Sequence, residues 1–187
     1  LLESLEAGLK PRRTWEVSAL RDFWSEALET LGANDTRLNA SSLLARARKL
    51  APADSILTTE AGVYGRVNLY VWKVNDPFTY LDSSGANTMG FSLPATLAAA
   101  LVRPEQKAIA LVGDGGFLMR VSELETAARM KLAPLIVIFD DGTLAMIRIK
   151  QQSKGYARLG VDLSQTDFVR IAESFGGQGW EVRTLEE

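Results

Sequence analysis

Asp114 stands among three glycines in ALVGDGGFLM (110–119), directly after an apolar run, and a second acidic cluster, FDDGT (139–143), follows the next apolar run in the same way. The 187 residues contain neither histidine nor cysteine. That removes imidazole bases, Ser-His-Asp catalysis, thiolate nucleophiles, disulfides and Cys-ligated metals. A metal held here must use oxygen ligands, which favours Mg²⁺, Mn²⁺ or Ca²⁺ over zinc. If the two apolar runs are paired strands, about 4.8 Å apart, Asp114 and Asp141 can reach one hard cation. Gly113, Gly115 and Gly116 permit a tight turn and a close backbone approach to a ligand. A plainer alternative exists: glycine clusters after strands are commonly turns, and Asp in a turn often caps its own backbone. GDGG alone favours that alternative. The second acidic cluster, one strand–helix–strand unit later, favours an oxygen-ligated metal bridging to a phosphate.

The surrounding elements must bring these residues together. KAIALV (107–112) and LIVIF (135–139) are continuous apolar runs, as suits parallel strands covered on both faces. Between them Ser122 and Glu125 form a capping-box pattern opening the helix ELETAARMK. SILTT (55–59) reads as a buried strand, TYLDSS as a short strand entering a glycine-bearing loop, and GWEVRT as a final strand. EAGVYGRVNLYVWKV reads as a loop and then a helix. FSLPATLAAALV reads as a helix with Pro94 in its first turn. Asn39 can cap a helix carrying Leu43, Leu44 and Ala47. Further helices are expected over 144–152 and in QTDFVRIAESFG. The amides at the start of helix 144–152 face the same crevice, a favourable place for phosphate.

This alternation predicts an α/β fold with a doubly wound, mostly parallel sheet flanked by helices. Right-handed crossovers then place both acidic loops at the carboxyl edge of the sheet, where open α/β sheets bind ligands. Residues 14–31 form an amphipathic helix with Val17, Leu20, Trp24, Leu28 and Leu31 on one face. GANDTRLNASS is a polar break, which divides the chain into a helical arm (1–36) and an α/β domain (37–187). The arm, with Trp15, Phe23 and Trp24, either joins a preceding domain or packs on its own sheet. The terminal TLEE (184–187) is a helix start with no helix behind it, so the chain is expected to be a piece truncated from a longer polypeptide.

Composition narrows the function classes. Apolar residues make up 47%, charged residues 24%, and the net charge is −2. Nothing there favours nucleic acid or an anionic membrane as a partner. GFSLPATLAAALV is too short to span a bilayer, and no signal peptide is visible, so a cytoplasmic location is the default. The P-loop pattern is absent, and Leu118 breaks the dinucleotide pattern G-x-G-x-x-G.

The segment GDGGFLMRVSELETAARMKLAPLIVIFDDGTLAMI (113–147) resembles the thiamine-diphosphate motif. GANTMGFSLPATLAAAL (85–101) resembles the companion segment of the acetolactate synthase and pyruvate oxidase group. The resemblance covers about residues 39–187 and implies the thiamine-diphosphate-binding fold of the diphosphate-binding domain. It implies thiamine diphosphate and Mg²⁺ as cofactors. Asp114 and Asp141 would ligate the metal through their carboxylates and Thr143 through its carbonyl. Gly115 and Gly116, beside Gly113, would meet the diphosphate through backbone amides. Met89 would wedge under the cofactor, Asn87 would accept from the aminopyrimidine through its carbonyl, and Met146 would border the substrate pocket. The implied reaction is decarboxylation of a 2-oxo acid such as pyruvate followed by ligation to an acceptor.

The sequence departs from the group at several positions. Asp141 replaces the usual ligating Asn, Asp140 a frequent Asn, Gly116 a common Ser, and Asn87 a usual glycine. Tyr64 stands near a typical His or Gln. Lys150 replaces the tryptophan of biosynthetic enzymes, which points toward catabolic acetolactate synthases and related carboligases or decarboxylases. No residue matches the activating glutamate, which belongs to a separate pyrimidine-binding domain. The expected partners are therefore the pyrimidine-binding and middle domains of a parent chain, in a homo-oligomer. The isolated chain is expected to be inactive, with no catalytic residue of its own. The competing expectation is a non-catalytic metal- or nucleotide-binding or regulatory remnant of the same fold.

Overall fold

The computed structural model describes residues 16–83 and 85–187. Four strands form one all-parallel sheet in the order β2-β1-β3-β4. They are β1 (Ile56–Thr59), β2 (Tyr80–Leu81), β3 (Ala108–Gly113) and β4 (Leu135–Phe139). The described helices are α1 (Val17–Thr30), α2 (Ala40–Leu50), α3 (Val63–Val71), α4 (Ser92–Val102), α5 (Asp114–Leu118), α6 (Glu123–Arg129), α7 (Ala145–Ser153) and α8 (Phe168–Ser174). The doubly wound α/β architecture expected from the sequence is the one observed.

Alternating side chains on each strand feed two apolar layers. On one face Leu57, Ile109 and Leu111 pack with Leu44 of α2 and with Tyr64 and Val71 of α3. On the other, Val112 packs with Leu93 of α4, Phe117 of α5 and Leu124 of α6, joined by Ile136, Ile138 and Phe168. This two-sided burial explains why β3 reads as an unbroken apolar run, while β4 is half-buried over Ile136–Phe139 and exposes Leu135. Asn39 caps α2 in a reciprocal box with Ser42, and Asp167 caps α8 by accepting from the Arg170 amide at 3.0 Å.

Three local expectations are corrected. Ser122 sits before α6 with helical dihedrals and makes no side-chain cap, because the turns after α5 run straight into α6. Glu125 instead pairs with Arg129 at 3.1 Å. GWEVRT forms no strand. The Arg183 and Thr184 amides donate to the Glu187 carboxylate, at 2.6 and 3.2 Å, so the chain turns instead of joining a ladder. The segment 114–118 is a helical turn rather than a tight glycine turn, and Gly113, Gly115 and Gly116 all avoid positive φ.

The arm helix α1 leaves much of its apolar face uncovered. Val17, Leu20, Phe23 and Trp24 are exposed, while Trp24 lies against Tyr70 of α3 at 5.6 Å between ring centroids and Leu28 meets the core. Trp15 lies outside the described residues. On the same side of the sheet, an apolar groove of about 510 Å³ runs past Leu43, Leu50, Trp72, Ile109, Val137 and Leu185.

Helix α4 docks on β1 through buried hydroxyls. Thr58 Oγ1 lies 2.8 Å from Ser92 Oγ and donates to the Ser92 carbonyl at 2.9 Å, while Ser92 Oγ donates to the Thr58 carbonyl at 3.0 Å. Thr96 Oγ1 donates to the Ser92 carbonyl at 2.8 Å. Thr58, Ser92 and Thr96 are fully buried, and each hydroxyl has a backbone carbonyl as acceptor. Thr58→Val is expected to lower unfolding free energy by about 0.5–1.5 kcal/mol, because it removes the bond to the Ser92 carbonyl while the Ser92 and Thr96 hydroxyls keep their acceptors. Urea denaturation of this variant beside Thr58→Ser measures the loss.

Candidate functional site

The parallel register pairs Gly113 with Phe139, so β3 and β4 end at one level and release their loops at one rim. Asp114 opens α5 and is buried. Its Oδ1 accepts from the Gly115 amide at 2.6 Å, and its Oδ2 accepts from the Gly142 amide at 2.8 Å. The Asp114 carboxylate therefore joins the two loops that the sequence singled out. Asp141 lies on the second loop, and its Oδ1 accepts from the Thr143 amide at 3.3 Å.

The 140–144 loop is fixed from beneath. Thr143 Oγ1 and the Leu144 amide both donate to the Val161 carbonyl, at 2.9 and 2.8 Å, and the Leu163 amide donates to the Gly142 carbonyl at 2.9 Å. Gly142 takes a φ of 63°, the left-handed turn that lets the chain reverse there. The Thr143 carbonyl, the third expected metal ligand, accepts from the Ala145 amide at 2.8 Å and keeps a second lone pair. Among the described residues no three carboxylate side chains converge on one point.

Asp140 and Asp141 both reach solvent, yet the wall of protein beside them strips part of their hydration. This partial desolvation, and next to it the Asp114 carboxylate, holds both carboxyls above the ordinary carboxylate range. Arg148 offsets part of the effect at Asp141.

The glycines of GDGG serve close approach. A Cβ at Gly115 would lie 2.8 Å from Leu144 Cδ2 and 3.2 Å from Met89 Cε. A Cβ at Gly116 would lie 1.7 Å from Glu60 Oε1. Met89, half-buried, thus reaches over the α5 glycines from the loop before α4. Asn87 lies on the same loop, exposed, with a φ of 50°, which explains why a glycine suits this position. Met146 lies half-buried in the first turn of α7.

Two residues outside the expected set complete the rim. Glu60 follows β1 and is 5% exposed, and Tyr64 on α3 is 6% exposed. Tyr64 stacks on Phe139 of β4, with ring centroids 4.6 Å apart and planes 11° apart, so its ring passes over Gly113. Burial, with Glu60 as the next cause, pushes the Tyr64 phenol upward and keeps it neutral. Its hydroxyl, Glu60 Oε1 and Thr59 Oγ1 are buried without hydrogen-bond partners among the described residues. The signal available in the sequence was placement: Glu60 stands directly after a buried strand, as Asp114 does.

Residues 60–187 match the family described as thiamine pyrophosphate enzyme, C-terminal TPP binding domain. The chain belongs to this family. Among relatives of this TPP-binding domain is the Bacillus subtilis protein YdaP, whose name describes it as thiamine pyrophosphate-containing, 34% identical over 90% of the chain and 29% of that protein. The catabolic acetolactate synthase of Raoultella terrigena is 32% identical over 91% of the chain and 31% of that enzyme. A solved structure, the thiamine diphosphate-dependent 4-hydroxybenzoylformate decarboxylase of Rhodococcus jostii RHA1, superposes with a TM-score of 0.74 at 29% identity. That match covers 81% of the chain and 29% of the decarboxylase. The TPP-binding domain thus spans less than a third of each of these proteins.

The upward shift of Asp141 has a definite sign. A carboxyl whose folded-state pKa is raised contributes stability below its unfolded pKa of 3.8 and loses it as pH rises through the folded value. In metal-free protein, Asp141→Asn is therefore expected to raise stability at pH 7 by a small amount, about 0.3–0.5 kcal/mol at this exposed site. The gain should shrink as pH falls toward the ordinary carboxylate range. Urea midpoints of the two proteins across pH 4–7 (about one-unit steps suffice) read the difference.

Proposed function

We propose that this chain is the domain that holds thiamine diphosphate through Mg²⁺ in an acetolactate-synthase-like carboligase or decarboxylase acting on 2-oxo acids such as pyruvate. The observation that carries this reading is the Asp114 carboxylate, which bridges the Gly115 and Gly142 amides at the rim where Asp141 and the Thr143 carbonyl also lie. The donor set fits a hard cation: two carboxylates and a carbonyl, all oxygen, with no histidine or cysteine anywhere in the chain. Beside it, the buried Tyr64 hydroxyl and Glu60 Oε1 have no hydrogen-bond partner among the described residues, which leaves polar atoms at this rim for a bound group.

In this reading Asp114, Asp141 and the Thr143 carbonyl hold Mg²⁺, while the backbone at Gly113, Gly115 and Gly116 receives the diphosphate. Met89 would support the cofactor, the Asn87 carbonyl would accept from its aminopyrimidine, and Met146 would border the space for substrate. When bound, thiamine diphosphate supplies the carbanion chemistry that decarboxylation of a 2-oxo acid requires. The chain's own contribution is to bind, orient and partly desolvate the cofactor. The group that activates the cofactor and the remaining walls of the site would come from pyrimidine-binding and middle domains, in a homo-oligomer. The exposed apolar face of α1 and the groove beside α2 are surfaces consistent with such neighbours. Among the described residues no helix is long and apolar enough to cross a membrane, and a cytoplasmic location is part of the same reading.

Asp141 motivates one competing reading, a non-catalytic binding domain of the same fold. Its carboxylate and that of Asp140 crowd Asp114, and all three would face an anionic diphosphate. Calorimetric titration of the full polypeptide with thiamine diphosphate, with and without Mg²⁺, separates the two. Saturable binding that requires the metal is expected, and absence of binding in both conditions overturns the proposed function. The 187-residue chain alone, given pyruvate, Mg²⁺ and cofactor, is expected to form no acetolactate at an enzymatic rate. A rate within the ordinary enzymatic range, about 1 s⁻¹ or above, would refute the inference that activation comes from another domain.

A further inference from the structure

Glu60 is a buried carboxylate with one satisfied and one unsatisfied oxygen. Its Oε2 accepts from the Ser92 amide at 2.9 Å. Phe91, at the N-cap of α4, provides no side-chain cap. Glu60 therefore caps α4 from another element, the end of β1, satisfying a donor that the helix start leaves without a partner. Its Oε1 lies against Gly116, in the space a Cβ there would need. Among the described residues no hydrogen bond reaches that oxygen.

One carboxylate thus touches both sides of the candidate site. On one side is the start of α4, which carries the loop of Asn87, Met89 and Gly90. On the other is the first turn of α5, with Gly115 and Gly116. The neighbouring hydroxyls of Thr58, Ser92 and Thr96 lock β1 to α4, so Glu60 cannot move away from α4 without breaking buried hydrogen bonds.

We propose that Glu60 is a positioning residue that sets the distance between the Met89 loop and the α5 glycines, and that residue 116 is a glycine because this carboxylate occupies the place of its side chain. The proposal rests on the cofactor-binding reading for its consequence, and on the contacts of Glu60 for its geometry. Met89 Cε already approaches the Cβ position of Gly115 at 3.2 Å, so a change in the spacing of the two elements moves the surface on which a cofactor would bend.

The test uses the full polypeptide and the variants Gly116→Ala, Glu60→Ala and the double variant Glu60→Asp/Gly116→Ala. Two quantities are read at a temperature where every variant is folded: the exchange rate of the Ser92 amide in metal-free protein, compared with the core amides of β3 that report global opening, and the affinity for thiamine diphosphate with Mg²⁺. Glu60→Ala is expected to speed exchange at Ser92 by about tenfold or more beyond any change at β3, and Gly116→Ala to weaken cofactor binding by about tenfold. The double variant, whose shorter carboxylate leaves room for a methyl group, is expected to bind more tightly than Gly116→Ala alone. Unchanged exchange in Glu60→Ala overturns the proposal even if Gly116→Ala fails to fold. A double variant that binds no better than Gly116→Ala overturns it as well. If the unsubstituted protein binds no cofactor, the functional reading falls, while the exchange rates still decide the contacts of Glu60.

Discussion

The arrangement at the rim depends on the division of one carboxylate between two strands. Asp114 Oδ1 stays with the start of its own helix, at the Gly115 amide, and Oδ2 crosses to the Gly142 amide on the loop after β4. Hydrogen bonds from amides to a charged acceptor contribute about 1.5–3 kcal/mol each when they are buried. They hold the 140–143 loop against Asp114 although the loop brings two more carboxylates with it. Partial desolvation there, and after it the nearby Asp114 carboxylate, raises the proton affinity of Asp140 and Asp141. Geometry is thus maintained at an electrostatic cost, and under the proposed function a divalent cation would offset that cost.

The elements that position this rim were legible where a local pattern has only one physical outcome. Unbroken apolar runs at 107–112 and 135–139 suit strands of a parallel sheet, and β3 and β4 formed there. Asn39 precedes a helical repeat and does cap it. Patterns failed where a neighbour changed the outcome. Ser122 followed by Glu125 resembles a capping box, but α5 delivers a chain that is already helical, so no extended N-cap residue exists. GWEVRT has strand-forming residues, yet the Glu187 carboxylate draws the chain into a turn at Arg183 and Thr184.

The candidate site divides in the same way. Asp114 and its glycines were legible by residue type, because a lone acid among glycines after a buried strand limits what the loop can do. The reason for each glycine was not legible. Gly115 is bare because Leu144 and Met89 press on it, and Gly116 because Glu60 does, contacts that cross long stretches of sequence. Glu60 itself reads locally as a polar residue opening a loop. Only the folded chain places it against the start of α4 and the first turn of α5.

Strand order explains why the acidic pair alone was an incomplete description. From β1 the chain moves outward to β2, then crosses back to place β3 on the other side of β1. The direction of winding therefore reverses between β1 and β3, and in open α/β sheets the ligand crevice lies outside such a reversal. Asp114 stands on one side of that crevice, at the end of β3, with Asp141 one strand farther out. The opposite side is built by two residues beyond the end of β1, Glu60 and Tyr64. Tyr64 reaches over Gly113 to stack on Phe139, and Glu60 reaches Gly116, so both span the reversal that the backbone leaves open. A site read from β3 and β4 alone would have one wall. The crossover supplies the second, and with it the buried polar atoms that have no hydrogen-bond partner among the described residues.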